Sequence, residues 1–331
     1  MATSPDCCVA SKKSCHWTGG VDWEVLFIVF VVRTNFFTNT DAHKAKKMSQ
    51  QQGFVCSGDY CEMGPVSSST TNENNTVSNS KILNIEITSD IACPFCFLGK
   101  LQLEKALAEF GAKPITSPKD GSVLYTILWK PFLLNPSVPS EGEPRADFFR
   151  KKFGFTPTQE MMIDQKLMLD AMPMLGHIEK AGKEMGIKTM NVANFKVPLS
   201  NTINSHRLLR LTEQKYPVTA SDKQNLVADK IFRAYFEEGK NVSDAQVMWQ
   251  IVRESGLEGD VPQDFFLSDV HSSEHQNDTY LQYVKEEAKK AGRVTNGVPY
   301  FSFSVSGGPK TFSSGAIGVN GFAKVLKTLF K

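Results

Sequence analysis

The sequence has no cysteine after Cys96, although the chain continues to residue 331. All seven cysteines lie in the first third of the chain: Cys7, Cys8, Cys15, Cys56, Cys61, Cys93 and Cys96. This distribution excludes a disulfide framework that is spread through the whole folded body. The odd number also leaves at least one thiol unpaired in a monomer. Both features favour a reducing compartment, and we expect the protein to be cytoplasmic.

The sequence also lacks an excess of charge of either sign. It has 37 lysines and arginines against 35 aspartates and glutamates, which gives a formal net charge of +2. This balance provides no electrostatic reason to expect a nucleic acid or an anionic membrane as the main partner. There is no glycine-rich phosphate loop, and the histidines show no metal-ligand spacing with carboxylates. We therefore expect neither a nucleotide nor a metal cofactor.

A long apolar run is absent as well. The run Val25–Val32 has eight residues, whereas a membrane-spanning helix needs about 20. No small-residue cleavage site follows this run, so a secretory signal is the less favoured interpretation. Residues 67–80 are polar and of low complexity, and they offer too little apolar surface to fold. We interpret residues 1–81 as a disordered or poorly structured leader and linker, in which Met48 is an alternative start.

The pattern becomes regular from residue 82. The β-branched run Ile82–Ile87 predicts a buried strand, and the pair Cys93 and Cys96 follows it directly. Residues 97–110 carry leucines at helical spacing, and residues 123–129 have the alternation of a second strand. The order predicts a βαβ unit with parallel strands, in which the cysteines lie between the first strand and the helix.

A long helical stretch comes next. Six segments have helical composition: 147–153, 158–185, 204–215, 221–238, 243–255 and 273–291. Pro173 is expected to break or kink the second of these segments. Ser221 with Gln224, and Ser243 with Gln246, resemble capping boxes at two helix starts.

The chain ends with two predicted strands and a helix. The strands cover 299–305 and 310–312, and the helix covers 321–330. The order βαβ, helices, ββα predicts an α/β protein with a thioredoxin-like fold and an inserted helical domain. The first half of the thioredoxin-like domain is predicted at 82–135 and its second half at 293–331. The helical insertion between them is predicted at 136–292.

The position of Cys93 at a helix start predicts its chemistry. Unpaired backbone N–H groups and the helix dipole favour a thiolate there, and such positions lower a cysteine pKa from about 8.5 toward about 3.5–7.5. Cys93 is therefore predicted to be the exposed nucleophile. Cys96 lies nearly one helical turn further on, close enough to close a disulfide and act as the resolving thiol. Lys100 lies one more turn along; it would support the thiolate, or be an ordinary solvated lysine.

A Cys-x-x-Cys pair alone also fits two core cysteines or half of a zinc site. Cys56 and Cys61 would complete a four-cysteine site, although the polar linker does nothing to fix that geometry. Alternatively, Cys56 and Cys61 form an inert pair, or an auxiliary redox pair that exchanges with Cys93 and Cys96. The sequence leaves these alternatives open.

Several ordered motifs resemble a known family. The segment 89–100, SDIACPFCFLGK, is similar to the active-site segment of DsbA-like oxidoreductases, and within them to the polyketide-biosynthesis dithiol–disulfide isomerase subgroup. Five later segments match in order: PFLLNP at 131–136, NTINSHRL at 201–208, AYFEEGKNV at 234–242, GVPYF at 297–301 and SGA at 314–316. The resemblance covers residues 82–331.

The resemblance implies that Pro299 is a cis proline. A cis bond would bring the Val298 backbone beside the Cys93 sulfur, where it can pair with the main chain of a substrate. The alternative is an ordinary trans proline at the start of a strand.

Further candidate substrate-binding residues surround the cysteines. Pro94 and Phe95 lie between them, and Phe132 lines the pocket or belongs to the core. Asn204 contacts substrate or caps its helix. His206 faces the cleft and binds a substrate carboxylate, or it is a packing or capping histidine.

We therefore expect a thiol–disulfide oxidoreductase or isomerase with no cofactor other than its own redox-active disulfide. Its partners would be thiol- or disulfide-containing proteins or small molecules, with glutathione as a possible reductant, and it would be a monomer or a homodimer. One alternative is a glutathione-dependent enzyme that resembles kappa-class transferases or hydroxychromene-carboxylate isomerases. Those relatives have serine at the first active-site position, where this sequence has Cys93. The other alternative is a zinc-binding interaction module.

Overall fold

The computed structural model describes residues 81–266, 269–275 and 277–331. The chain divides into two compact units, and all described residues belong to the second, Pro65–Lys331. The predictions about the leader up to residue 80, including Met48, Cys56 and Cys61, lie outside the described residues. Among the described residues, no helix is both long enough and apolar enough to span a membrane.

The strands form one mixed five-stranded sheet in the order β2-β3-β1-β4-β5. They are β1 (Ile82–Ser89), β2 (Lys113–Pro114), β3 (Leu124–Pro131), β4 (Tyr300–Val305) and β5 (Thr311–Ser314). β1 runs parallel to β3 and antiparallel to β4. A parallel pair requires a crossover connection, and the helix after β1 provides it. The predicted βαβ unit is confirmed.

The described residues contain ten α-helices. They are α1 (Pro94–Glu109), α2 (Arg145–Phe153), α3 (Gln159–Ile163), α4 (Gln165–Ala171), α5 (Pro173–Glu184), α6 (Ile203–Lys215), α7 (Lys223–Phe236), α8 (Ala245–Glu254), α9 (Thr279–Val294) and α10 (Gly318–Leu329). Helices α2–α9 lie between β3 and β4 in the chain, which confirms the mixed α/β class. The predicted boundaries after residues 135 and 292 stay predictions, and α9 continues to Val294.

The predicted helical segment 158–185 is divided into three helices. Pro173 occupies the first turn of α5, where its missing N–H removes no helical hydrogen bond. The break at this proline was expected from the sequence. A second break occurs at Asp164, whose carboxylate accepts a hydrogen bond of 2.9 Å from the Lys166 N–H and caps α4.

The central strand positions the cysteines. Alternate residues of β1, namely Leu83, Ile85 and Ile87, are almost fully buried on one face of the sheet. Helices α1 and α10 pack against each other on the same core, and Phe322 of α10 contacts Phe301 of β4 edge to face at 4.9 Å. This packing holds the N-terminus of α1 at the C-terminal end of β1.

The predicted capping boxes are wrong. Asp244 caps α8 by accepting from the Gln246 N–H at 2.7 Å. Gln224 is fully buried instead and hydrogen-bonds the backbone of Trp129 in β3, accepting from its N–H at 2.9 Å. Because β2 is only two residues long, part of the β3 edge has no strand partner, and the Gln224 amide satisfies the backbone there.

Candidate redox active site

Cys93 is the N-cap of α1. Its backbone is extended, with φ −91° and ψ 112°, and Pro94 follows in the first turn. The Cys93 carbonyl accepts from the N–H groups of Cys96 at 3.0 Å and Phe97 at 3.4 Å. The predicted position of Cys93 between strand and helix is confirmed, and no acidic residue lies in the first turn of α1 to oppose a thiolate there.

The two sulfurs are free thiols in different environments. The Cys96 residue is completely buried. Burial raises the pKa of the Cys96 thiol well above its usual value, and the hydrogen bond to Cys93 and the charge of Cys93 raise it further. Cys96 is therefore the inner thiol of the pair.

Cys93 is less exposed than the sequence predicts. Only 5% of the residue is accessible, because the loop before β4 lies against it. The Cys93 thiol donates to the Val298 carbonyl, with 3.8 Å between sulfur and oxygen. The expectation of an openly exposed nucleophile was wrong in this respect, and a substrate has to approach along the Val298 loop.

The Val298–Pro299 peptide bond is cis, as the resemblance implies. The Pro299 carbonyl accepts from the Gly315 N–H at 2.8 Å, which joins the start of β4 to the end of β5. The Thr295 hydroxyl donates to the Gly297 carbonyl at 2.6 Å. These bonds fix the loop that carries the Val298 backbone beside Cys93.

Gly99 brings the cis-proline loop close to α1. A Cβ atom on Gly99 would lie 3.1 Å from both Pro299 Cγ and Phe301 Cζ, which is tighter than ordinary van der Waals contact. The absence of a side chain at this position therefore allows α1 to approach the start of β4.

Gly99→Val is expected to destabilise the protein by about 1–3 kcal/mol, because its methyl groups overpack the contact with Pro299 and Phe301. Urea unfolding measures this free energy. The matched control is Gly292→Val in α9, where a new Cβ meets no atom within 4 Å. Equal losses in the two variants would show that the close approach at Gly99 has no energetic weight.

Asp90 is a buried carboxylate that the sequence analysis did not select. It is 2% exposed and accepts three hydrogen bonds, from the Ala92 N–H at 3.1 Å, the Thr202 hydroxyl at 2.8 Å and the Leu134 N–H at 2.7 Å. It thereby joins the turn before Cys93 to the loop after β3 and to the start of α6. The sequence signal that could have identified it is an aspartate at the start of a turn, where the side chain typically accepts from the N–H two residues further on.

The predicted substrate-binding residues separate into two groups. Pro94, Phe95 and Val298 are half-buried beside the cysteines, and Phe132 is half-buried directly after β3. Asn204 and His206 are buried, at 6% and 4% exposure, which corrects their prediction as cleft residues.

The reason is that both buried side chains face groups of this chain rather than a cleft. Asn204 accepts from Arg207 at 2.6 Å and is not the cap of α6, whose N-cap is Thr202. His206 lies beside Asp90, with 4.0 Å between Nε2 and Oδ1.

Lys100 is not a solvated lysine. It is 1% exposed, and its ammonium group donates to Glu104 at 2.8 Å and to Asp229 of α7 at 2.6 Å. Its positive charge therefore forms ion pairs that link α1 to α7. In the described part of the chain, no group of three or more His, Cys, Asp or Glu side chains is placed to hold a metal ion.

Comparisons with known proteins give the same fold. The DSBA-like thioredoxin domain family matches residues 84–327. The protein YwbO of Bacillus subtilis, which is uncharacterised, is 26% identical over 178 residues, which cover 54% of this chain and 68% of YwbO.

Two solved structures are similar over three quarters of the chain. The probable DsbA oxidoreductase SCO1869 of Streptomyces coelicolor superimposes with a TM-score of 0.53 at 22% identity, covering 75% of this chain and 90% of its own. The cytosolic disulfide reductase DsbM of Pseudomonas aeruginosa has a TM-score of 0.44 at 13% identity, covering 75% and 98%. The first of these supports the fold alone. Because the family match spans more than half of the sequence, the chain belongs to the DSBA-like thioredoxin domain family.

Proposed function

We propose that the protein is a thiol–disulfide oxidoreductase that works through Cys93 and Cys96. The observation that carries this proposal is the arrangement of three groups at the start of α1. Cys93 lies at the N-cap, the buried Cys96 thiol lies behind it, and the Val298 carbonyl contacts its sulfur. A nucleophile at a helix start, a second thiol within reach to resolve the mixed disulfide and a main-chain edge beside them are what dithiol–disulfide exchange requires.

The exchange takes place in two displacements. The Cys93 thiolate attacks one sulfur of a substrate disulfide, and the other sulfur leaves as a thiolate with the bonding electron pair. Cys96 then loses its proton and attacks Cys93, which forms the Cys93–Cys96 disulfide and releases the second substrate thiolate. The same steps run in reverse, so the reduction potential of the pair relative to its compartment sets the direction.

The surface around Cys93 favours a substrate whose main chain is extended near the reacting sulfur and whose adjacent side chains are uncharged. Pro94, Phe95 and Phe132 supply apolar, half-buried surface, and the Val298 backbone supplies polar groups. Thiol- or disulfide-containing proteins fit this description, and glutathione is proposed separately as a small-molecule reductant of the pair. We further propose that the protein acts in the cytoplasm and performs the reaction of the dithiol–disulfide isomerase subgroup.

Cys96→Ala is expected to accumulate a mixed disulfide at Cys93, because the thiol that resolves it is gone. Incubation with oxidised glutathione followed by mass spectrometry of the Cys93 peptide measures the adduct. The wild-type chain should hold far less of it, since Cys96 displaces glutathione within the same molecule.

The matched control is the double variant Cys93→Ser with Cys96→Ala, which keeps the other five cysteines. It should show no adduct on the peptide that contains residue 93. If Cys96→Ala holds no more adduct than the wild type, Cys96 is not the resolving thiol. Stoichiometric zinc in the purified protein would replace the redox proposal with the zinc-binding alternative.

A further inference from the structure

A cavity lies between α7 and α8. Its volume is about 420 Å³, within the range of about 300–1,000 Å³ that is typical of sites for small organic molecules. Its floor is buried, because Ala234 and Ile251 are each 3% exposed and Ser255 is 7% exposed. Neither Cys93 nor Cys96 lines it. The exchange reaction at the cysteines therefore does not account for this cavity.

The hydroxyl group of Ser255 is unused. Its oxygen is buried and has no hydrogen-bond partner among the described residues. The backbone of the same residue is engaged, since its N–H donates to the Ile251 carbonyl at 2.9 Å where α8 ends. A buried hydroxyl without a partner has lost its hydrogen bonds to water and calls for an explanation. Because a hydroxyl can both donate and accept, a polar ligand in the cavity would supply the missing bond.

Two ammonium groups approach the chain on either side of Ser255. Lys230 Nζ lies 3.8 Å from the Glu254 carboxylate. Lys223 Nζ would lie 3.9 Å from a Cβ atom on Gly256. Since Glu254 and Gly256 are the sequence neighbours of Ser255, the two lysines and the unpartnered hydroxyl gather at one end of the cavity.

The positive charge at this end is not neutralised. Lys223 takes part in none of the ion pairs of the described residues, and its ammonium group lies 5.7 Å from the centre of the Tyr216 ring. Lys230 contacts Glu254 at 3.8 Å, but these side chains are 37% and 47% exposed, so water screens the pair. The Glu254 carboxylate also accepts from Gln250 at 2.7 Å. An anion at this end would therefore pair with both lysines and break no strong ion pair.

The other two cations of the lining are already paired with acids. Arg233 donates to Asp229 at 2.7 Å, and Lys240 lies 2.6 Å from Glu238. Their charges are therefore balanced within the protein. The attraction for an anion is concentrated at the Ser255 end.

Apolar surface lies next to the charged end. Leu226 lies on the same face of α7 between the two lysines and is 50% exposed, and the buried Ile251 precedes Ser255 by about one helical turn. No aromatic side chain of the described residues lines the cavity, so a flat ring would find no stacking partner there. The lining therefore fits an aliphatic body.

We propose that the cavity between α7 and α8 binds a small organic anion that carries one acid group on an aliphatic body. The acid group pairs with Lys223 and Lys230, and one of its oxygens accepts from the Ser255 hydroxyl. The aliphatic part covers Leu226 and Ile251. Carboxylates and phosphate monoesters share this chemistry. The site is independent of exchange at Cys93.

Isothermal titration calorimetry on the full chain compares ligands of one length. Hexanoate and hexyl phosphate carry the two acid groups, and hexan-1-ol and hexylammonium are the neutral and cationic controls. We expect the better anion to bind at least about tenfold more tightly than hexan-1-ol, since a hydrogen bond to a charged group contributes that much. The anion that binds better identifies the acid group. If neither anion binds, or if either control binds as tightly, the proposal is overturned.

Lys223→Met is expected to weaken binding of the preferred anion at least about tenfold, because it removes the unpaired charge and keeps the length of the side chain. The matched control is Lys289→Met, which removes an exposed lysine of α9 that does not line the cavity. This control should bind the anion as the wild type does. Equal losses of affinity in the two variants would show that only the net charge matters.

Ser255→Ala is expected to weaken anion binding about fivefold, because the ligand loses one hydrogen bond. The free energy of unfolding of the ligand-free protein should not fall, since the hydroxyl has no partner to lose. A hydroxyl that only supports the fold would give the opposite result. A loss of stability with unchanged affinity would therefore contradict the proposal.

The backbone amide NMR signals of Ala234 and Ile251 report where the anion binds. They should shift when the preferred anion is added to the wild-type chain, and they should shift far less in Lys223→Met at the same concentration. Shifts confined to residues around Cys93 and Cys96 would place the anion at the cysteines. That result would overturn the cavity site and leave the proposed function intact.

Discussion

Cys93→Ser is expected to abolish thiol–disulfide exchange down to the uncatalysed rate. A serine hydroxyl cannot form a disulfide, so the first displacement has no nucleophile, and Cys96 cannot replace it because it is completely buried. Insulin reduction with glutathione as the electron donor measures the loss. Serine is smaller than cysteine and introduces no clash, and the contact that it loses to the Val298 carbonyl is long, with 3.8 Å between sulfur and oxygen. The free energy of unfolding should therefore change by no more than about 1 kcal/mol.

The control for this result uses the second pair of cysteines. Replacing Cys56 and Cys61 by serine should leave the rate of exchange at Cys93 unchanged if they are inert. A partial loss would make them an auxiliary redox pair that exchanges with Cys93 and Cys96. Activity that survives in Cys93→Ser and disappears in the Cys56 and Cys61 variant would place the reaction at the other pair and refute the assignment.

The main features of the fold were predictable because they depend on local patterns. The apolar β1 run, the Cys-x-x-Cys pair and the leucines of α1 lie within thirty consecutive residues, and each has its own periodicity. A strand followed by a helix in a βαβ unit then determines that Cys93 is the N-cap and that Cys96 is inside. The resemblance added the cis bond at Pro299, which lies far away in the sequence.

The misassigned residues depend on contacts between distant segments. Gln224 and His206 are polar and lie near helix starts, so local rules assigned them to a capping box and to a cleft. Gln224 instead satisfies the backbone of Trp129, and His206 faces Asp90, which precedes it by more than a hundred residues. No periodicity reports such a partner, because a buried polar side chain is stable only when the tertiary fold supplies one.

Lys100→Met is expected to destabilise the protein by about 3 kcal/mol, the typical cost of removing one partner of a buried ion pair. Methionine keeps the length and apolar volume of the side chain, so the loss reports the charge. The Lys100 side chain is 2% exposed and bridges Glu104 and Asp229, which are 30% and 28% exposed. Without it, Glu104 keeps the hydrogen bond donated by Asn225, and Asp229 keeps the one donated by Arg233.

The pH dependence of this loss follows from the pKa of Asp229. Burial raises that pKa, but the charge and hydrogen bond of Lys100, together with Arg233, outweigh burial and lower it. A carboxyl whose pKa is lower in the folded state contributes stability above its unfolded pKa, and this stability is lost as the pH falls through the folded pKa. The difference between wild type and Lys100→Met should therefore shrink in acid, as urea unfolding at several pH values can measure.

The matched control is Lys113→Met, which removes the lysine of an exposed ion pair. Lys113 and Asp120 are 44% and 46% exposed, with 2.5 Å between nitrogen and oxygen. Exposed pairs are worth about 0–1 kcal/mol because water screens them and the side chains lose entropy. A similar loss in both variants would mean that burial adds nothing at Lys100. A much larger loss in Lys100→Met would show that the lysine after the cysteines serves to fasten α1 to α7.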